Sequence, residues 1–272
     1  MKYYNIRVQV YTKQNAPLFI GSTLRGAFGY ALKKVVCINP SYRCDGCFAK
    51  QECLYYDFYE SQNGYHNYRF DIELDSSKFD FALFLFEESC EKLPYVLSGL
   101  HKMLTEVGLM HDNLIFEEFK ITIDSRIVYD GERFDLEGIM PQNFETTPHT
   151  PNLTLTLKTP LRIKRNNRFI RDDVALEDIL RSIHQRERQL CYGEKYAKLE
   201  YTPRYTLLSK SLHHQTLIRK SGRQKSKMNM DGIMGQIAIE NLDPASYRLL
   251  KLGEILGVGK QTVMGLGNIR VN

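Results

Sequence analysis

The residues with the clearest potential for chemistry lie near the carboxyl end of the chain, between Gly257 and Gly267. Four of these eleven residues are glycine, and Lys260 stands among them. Glycines allow tight turns and a close approach to the backbone, and exposed N–H groups beside Lys260 would suit a phosphate. The segment is not a P-loop, because Gln261 follows Lys260 where Ser or Thr is required, and because a helix-like run precedes it. This order favours the phosphate of a polymer backbone over that of ATP, with a ligand-free glycine turn as the alternative.

A second chemical feature is a cluster of cysteines in the first quarter of the chain. Four of the six cysteines fall within seventeen residues, and one pair has the two-residue spacing that lets both thiolates bind one metal ion. Nothing indicates export, so disulfides are not expected. Four thiolates would close a coordination shell, which favours structural zinc, with an iron–sulfur cluster second and reduced, unliganded cysteines as the alternative. The expected ligands are Cys37, Cys44, Cys47 and Cys53.

The basic residues are concentrated in two stretches of the carboxy-terminal half. The net charge is only +5, but residues 161–171 carry five basic side chains and residues 210–227 carry six, with no acid in either stretch. Such a distribution indicates a directional surface for a polyanion, and solvated surface charge is the simpler alternative. The stretches contain Arg162, Lys164, Arg165, Arg168 and Arg171, then Lys210, Arg219, Lys220, Arg223, Lys225 and Lys227.

Several classes of protein do not fit the sequence. No run of eighteen apolar residues suggests a membrane span, and the first residues lack a signal-peptide core, so we expect a cytoplasmic protein. No His-Glu-x-x-His pattern or tight aspartate cluster is present, and the adjacent pair His213-His214 would point to opposite faces of a strand. Metal-dependent phosphodiester cleavage is therefore unsupported.

The pattern of apolar residues predicts the same order of elements twice: strand, helix, strand, strand, helix, strand. The 272 residues suit two domains, and the proline-marked stretch from Glu145 to Pro151 is the best boundary. We therefore expect an α+β fold of two tandem ferredoxin-like domains. Domain one would span 1–146 with a cysteine-rich insertion at 37–53, and domain two 147–272 with a glycine-rich loop at 257–267. The predicted elements are strands 3–11, 68–74, 79–86, 114–129 with a hairpin near Gly131, 153–163, 213–218, 233–239 and 267–271, and helices from Ser22, 90–107, 172–190 and 244–256.

Three blocks of sequence resemble one family. Leu252-Gly253-Glu254 followed by the glycine-rich segment resembles the carboxy-terminal signature of the RAMP superfamily, specifically the endoribonucleases that process CRISPR repeat RNA. A second similar block runs from Arg219 to Lys225 and continues at 232–235, and a third spans 21–29. The middle of the chain matches only in its pattern of strands and helices.

The resemblance implies metal-independent cleavage of CRISPR precursor RNA by the ribose 2′-hydroxyl, giving 2′,3′-cyclic phosphate and 5′-hydroxyl ends. In the family the site borders the first helix, where a catalytic His or Tyr is common, yet no His occurs between Gly21 and Cys53. The candidates are Tyr30 as acid or base, Lys33 as charge stabiliser, and His66, His213 or His214 as base. The alternatives are a tyrosine at the rim of the core, a histidine in a surface loop, and histidines that contact RNA or solvent.

The resemblance also implies which residues hold RNA, and it leaves two other functions open. A non-catalytic RAMP subunit that binds RNA inside a CRISPR effector complex would share the glycine loop, and a zinc-stabilised RNA-binding module would need no CRISPR role. The expected partners are repeat or guide RNA and effector subunits. The expected RNA-binding residues are Arg25, Arg219, Arg223, Gln224, Lys225, Gly257, Gly259, Lys260, Gly265 and Gly267.

Overall fold

The structure, a computed structural model, describes residues 1–61, 64–110, 112–220 and 227–272. Three of the expected RNA-binding residues, Arg223, Gln224 and Lys225, lie outside these ranges. The chain divides into two compact units. The first comprises 1–70 and 75–143, and the second comprises 71–74 and 144–272.

The first unit is a βαββαβ arrangement with a short extension. Its sheet has the order β2-β3-β1-β4-β5, with β6 paired to β1, and its neighbouring strands are antiparallel. Helices α1 and α2 pack against each other, and α1 buries Leu24, Phe28 and Leu32 at helical spacing. The elements are β1 (Lys2–Val10), α1 (Gly21–Val36), β2 (Tyr68–Asp71), β3 (Phe81–Phe86), α2 (Leu93–Lys102), β4 (Phe119–Ile123), β5 (Arg126–Tyr129) and β6 (Gln142–Asn143).

The second unit repeats this topology and adds two small hairpins. Its sheet has the order β10-β13-β7-β14, which is the same order as β2-β3-β1-β4. Both units are thus ferredoxin-like, and the predicted fold class is confirmed. The elements are β7 (Leu153–Leu161), β8 (Lys164–Arg165), β9 (Arg168–Phe169), α3 (Leu176–Tyr192), β10 (Thr206–Gln215), β11 (Ile218–Lys220), β12 (Lys227–Asn229), β13 (Gly232–Glu240), α4 (Pro244–Leu256) and β14 (Ile269–Val271).

Three predicted elements differ from the structure by more than small shifts of their ends. The strand expected over 213–218 is broken, because β10 ends at Gln215 and β11 begins at Ile218. The expected strand over 114–129 is a hairpin, because Asp124 and Ser125 adopt left-handed φ values of 50° and 69° and reverse the chain between β4 and β5. The expected helix over 90–107 is interrupted: a 3₁₀-helix (Glu87–Lys92) precedes α2 and a π-helix (Met103–Val107) follows it. Pro94 near the start of α2 is compatible with a helix beginning there.

Candidate functional site

A cluster of three tyrosines, Tyr55, Tyr59 and Tyr68, packs beside helix α1 in the first unit. Arg25, Gly29 and Lys33 recur every four residues and therefore share one face of α1. The Arg25 Cζ atom lies 4.8 Å from the Tyr59 ring centre and the Lys33 Nζ atom 4.6 Å from that of Tyr55. The Tyr59 hydroxyl donates to the Arg25 carbonyl at 2.8 Å. Gly29 makes this contact possible, since a Cβ there would lie 2.5 Å from the Tyr59 ring.

His66 adjoins the other side of this tyrosine cluster. Its ring centre lies 6.0 Å from that of Tyr68, and its Nδ1 atom lies 3.4 Å from the Asp57 carbonyl oxygen. Burial raises the pKa of Tyr59 well above its ordinary value and also raises the pKa of Tyr68. Both phenols therefore stay protonated near neutral pH and can donate hydrogen bonds but not act as bases. Histidine is the residue type whose ordinary pKa suits a general base.

Tyr30 lies apart from this arrangement. Its side chain is 59% exposed, and among the contacts of the described residues its ring pairs with Lys34, whose Nζ atom is 4.7 Å from the ring centre. The structure thus places three of the expected residues, Arg25, Lys33 and His66, around the tyrosine cluster, and Tyr30 on a neighbouring part of α1. Sequence reasoning missed the cluster itself, although the run of tyrosines at 55, 56 and 59 was a signal.

His213 and His214 belong to the second unit, on the edge strand β10. They pair with Met234 and Ile233 of β13, and both side chains are exposed. Because successive residues of a strand point to opposite faces, the two imidazoles cannot act on one atom together. The backbone of Arg219 lies in β11.

The glycine-rich loop of the second unit forms hydrogen bonds within its own domain. Gly257, Gly259, Gly265 and Gly267 all have φ between 70° and 79°, and a Cβ on Gly267 would lie 1.8 Å from a carbonyl oxygen. The expectation of free N–H groups beside Lys260 is wrong for Lys260 and its neighbour Gly259, because both amides donate inside the domain. Contacts of the four glycines with RNA stay a prediction. The internal bonds are Val258 N to Gly267 O (2.9 Å), Gly259 N to Ser182 Oγ (2.9 Å), Lys260 N to Arg162 O (2.8 Å) and Gly267 N to Pro160 O (3.2 Å).

Two buried arginines hold the loop in place. Arg186 is 2% exposed and donates to the Thr262 hydroxyl at 2.5 Å and to the Gly259 carbonyl at 2.7 Å. Arg162 is 7% exposed and donates to the Gln261 side-chain oxygen at 2.9 Å and to the backbone oxygen of Asp231. Arg162 was expected on a polyanion surface, but its guanidinium is committed to the protein.

Two further cations near the loop, Lys164 and Lys260, form together with Phe169 a surface that we call the cationic patch. The β8–β9 hairpin turns at Asn166 and Asn167, with left-handed φ values of 51° and 62°. The Phe169 ring centre lies 4.4 Å from the Arg162 Cζ atom and 5.2 Å from the Lys164 Nζ atom. Its side chain is 36% exposed.

The electrostatics of this patch favour an anion. Burial lowers the pKa of Lys260, and the positive charges of Arg186 and Lys164 lower it further. A negative ligand beside Lys260 and Lys164 would relieve this repulsion. Arg165, in the same hairpin, is already paired with Asp178.

The four clustered cysteines are reduced and partly exposed. Among the described residues, no group of three or more His, Cys, Asp or Glu side chains is gathered closely enough to hold a metal ion. The structure therefore does not support a preformed metal site. Within the same residues, no helix is both long and apolar enough to cross a membrane.

Comparisons with family models divide the chain as its fold does. Residues 155–269 match the model described as CRISPR-associated endoribonuclease Cas6, and residues 1–134 match a model described only as an N-terminal domain. An uncharacterized protein of Archaeoglobus fulgidus is 25% identical over 293 residues, covering 98% of this chain and 96% of that protein.

Solved structures of similar fold cover the whole chain. A Cas6 product complex superposes with a TM-score of 0.58 at 14% identity, covering 100% of this chain and 99% of that one. A Cas6 substrate mimic complex gives 0.52 at 16% identity over 99% of both chains. A Cas6-related protein from Pyrococcus furiosus gives 0.51 at 12% identity, covering 100% and 98%. At these identities the likeness establishes the tandem ferredoxin-like fold.

Proposed function

We propose that the protein cleaves CRISPR precursor RNA within its repeats, because residues 155–269 match the family model described as CRISPR-associated endoribonuclease Cas6. This family match is the observation that carries the proposal. The partner is the repeat RNA, since two of the structural neighbours are described as product and substrate mimic complexes of Cas6. Effector or integration complexes are further partners. A similar fold occurs in a structure described as a partial Cas6-RT-Cas1–Cas2 complex, where this chain covers 46% of the matching chain.

We assign the cationic patch to the RNA backbone. Arg186 and Lys164 place positive charge beside Lys260, so a phosphate at Lys164 and Lys260 lowers the electrostatic free energy of the patch. The partly exposed ring of Phe169 offers an apolar surface that an unpaired base can contact. The Lys260 amide donates a hydrogen bond to the Arg162 carbonyl, and this bond holds Lys260 beside the hairpin.

The proposed reaction needs no metal ion. A base removes the proton of the 2′-hydroxyl, the 2′-oxygen forms a bond to the adjacent phosphorus, and the bond from phosphorus to the 5′-oxygen breaks. That oxygen takes a proton, so the products carry a 2′,3′-cyclic phosphate and a 5′-hydroxyl. His66 is our candidate base, and Lys33 and Arg25, which contact the same tyrosine cluster, are the cations that we assign to stabilising the phosphate. Tyr30 remains the candidate acid, and His213 and His214 are alternative bases.

The test is incubation of the purified protein with its repeat RNA in excess EDTA, followed by analysis of the product ends. We expect one discrete cut with a cyclic phosphate. His66→Ala and Lys33→Gln should slow the cut by at least about a hundredfold while RNA binding persists. His184→Ala, which alters a histidine on α3, is the matched control and should cut normally.

The second candidate function is a non-catalytic RAMP subunit. The observation in its favour is that helix α1 contains no histidine, and that the buried phenols of the tyrosine cluster cannot serve as bases. Tight binding of the repeat RNA with no cut, in EDTA or with magnesium restored, would decide for this function. If instead His213→Ala or His214→Ala abolished cleavage and His66→Ala did not, the base would belong to strand β10.

A further inference from the structure

The cysteine segment, residues 37–53, has no core of its own. None of its seventeen residues is buried, and its regular structure is a single 3₁₀ turn, Lys50–Glu52. Its internal hydrogen bonds centre on Asn39, which bonds the carbonyl of Arg43 at 2.9 Å and the amide of Ser41 at 3.1 Å. Ordering each residue costs about 1–2 kcal/mol of backbone entropy. A segment of this length that buries nothing needs another source of stability.

Both ends of the segment are nonetheless fixed by helix α1. Cys37 directly follows α1, and its amide donates to the Lys33 carbonyl at 3.0 Å. After Cys53 the chain enters a π-helix, Tyr56–Glu60, which packs on α1 through the tyrosine cluster. The segment is therefore a closed loop, with one cysteine at each anchored end.

Three of the four thiols already share one surface depression. Cys37, Cys47 and Cys53 line a concavity of about 340 Å³. Its wall includes two apolar side chains, Ile38 and Phe48, that are 69% and 76% exposed. Exposed large apolar side chains that lie close together often mark a surface that binds another group.

The fourth cysteine is linked to this concavity by a tight turn. The Cys47 amide donates to the Cys44 carbonyl at 3.3 Å, and Gly46 between them has a left-handed φ of 64°. This backbone turn, in a two-residue spacing, is a form in which two thiolates can reach one ion.

We propose that residues 37–53 bind one Zn²⁺ ion through the thiolates of Cys37, Cys44, Cys47 and Cys53, and that the ion supplies the stability that the loop lacks. The four thiols are not gathered within bonding distance in this structure. Binding therefore brings the Cys44 thiol to the three that line the concavity, draws all four together, and releases four protons as four Zn–S bonds form. The closed shell makes the ion structural, and the proposal is independent of RNA cleavage.

The experiment measures metal in the full-length protein. Purified wild type should contain about one zinc ion per chain. Replacement by Co²⁺ should give the visible and near-ultraviolet absorption of a tetrahedral thiolate site. The double variant Cys44→Ser/Cys47→Ser should lose the metal, whereas Cys191→Ser, a partly exposed cysteine outside the segment, should retain it. Removal of zinc by a chelator should expose residues 37–53 to protease while the far-ultraviolet circular dichroism stays unchanged.

If the double variant does not fold, Cys53→Ser alone replaces it in the same measurement. Wild-type protein that binds neither zinc nor cobalt, or whose loop is cut equally with and without chelator, would overturn the proposal. Iron in place of zinc, with broad visible absorption in protein purified without air, would overturn the zinc assignment. None of these outcomes depends on whether the protein cleaves RNA.

Discussion

At the scale of single residues, two cationic side chains only two positions apart have different roles. Arg162 and Lys164 both belong to the basic stretch, but Arg162 is buried and bonded to the glycine loop while Lys164 faces Phe169. The stretch was a correct signal of positive charge. It could not indicate which cations were buried, because burial of Arg162 depends on Gln261 and Asp231, far along the chain.

Removal of the two lysines of the cationic patch should weaken RNA binding without harming the fold. Lys164→Ala and Lys260→Ala each remove about one phosphate contact, so the slope of log affinity against log salt should become shallower by roughly 0.7 per lysine for a single strand. Thermal stability should hold or rise slightly for Lys260→Ala, because its charged neighbours are positive. Lys158→Ala, an exposed lysine on β7, is the control and should leave the slope unchanged.

His101 should make the first unit sensitive to mild acid. Its ring lies 5.2 Å from Tyr129 and 5.8 Å from Phe134, and its Nε2 atom is 3.2 Å from the Tyr129 hydroxyl. Burial lowers its pKa below the ordinary value of about 6.5, with nearby Lys102 acting in the same direction and Glu106 opposing it.

The folded state therefore disfavours the protonated imidazole. Stability is fully present above pH 6.5 and falls as the pH drops from about 6.5 towards the lowered pKa, since the unfolded chain binds the proton first. Urea unfolding between pH 7.5 and 5.5 should show this loss, and His101→Gln should reduce it. An equal pH dependence in both proteins would contradict the assignment.

At the scale of elements, glycines decide how helices and loops meet. Gly26 and Gly29 lie one turn apart on α1, yet a Cβ on Gly26 would meet nothing within 4 Å whereas one on Gly29 would lie 2.5 Å from Tyr59. Gly29→Ala should destabilise the protein by about 1–3 kcal/mol, because the tyrosine must move. Gly26→Ala should stabilise it by roughly 0.5–1 kcal/mol through helix propensity. Chemical denaturation of the pair measures both, and equal effects would contradict the packing argument.

A glycine of the loop, Gly267, and the glycine that follows α3, Gly193, form a similar matched pair. Gly193 and Gly267 have nearly the same φ, 70° and 71°, but only Gly267 lies against backbone, with a Cβ position 1.8 Å from the Val258 oxygen. Gly193→Ala should cost about 1–2 kcal/mol from its left-handed conformation alone. Gly267→Ala should lower the free energy of unfolding by more than this, or prevent folding, because its Cβ would also clash with backbone. The melting temperatures of the two variants measure the difference.

Sequence reasoning placed elements best where local signals agree. Helix α4 was predicted over 244–256 and is found there, because Asp243 accepts a bond from the Ser246 amide, Pro244 starts the helix and Gly257 follows it. The hairpin at Asp124 and Ser125 was missed, since neither residue is glycine or asparagine and the apolar alternation runs through the turn.

At the scale of the whole molecule, two units share one topology without a repeated sequence. Their strand orders are the same, and element order alone predicted this. The candidate site was less predictable. Lys260 was identified from its motif, whereas the bonds of Arg186 to the loop and the contact of Tyr59 with Tyr68 join parts of the chain that are apart in sequence. Local periodicity therefore predicts the fold class, and tertiary packing decides which polar residues support the site and which face a ligand.

The central place of β7 in its sheet has a consequence for how the second unit folds. β7 is the first strand of its domain in sequence, but both of its partners, β13 and β14, lie far downstream. Until they arrive, Leu153, Leu155 and Leu157 belong to an unpaired apolar strand. Pairing between strands far apart in sequence slows folding, and until it is complete the unpaired strand edge is prone to aggregation. Strand β1 holds the same central place in the first unit, so each unit should complete its sheet only after its own last strands have been synthesised.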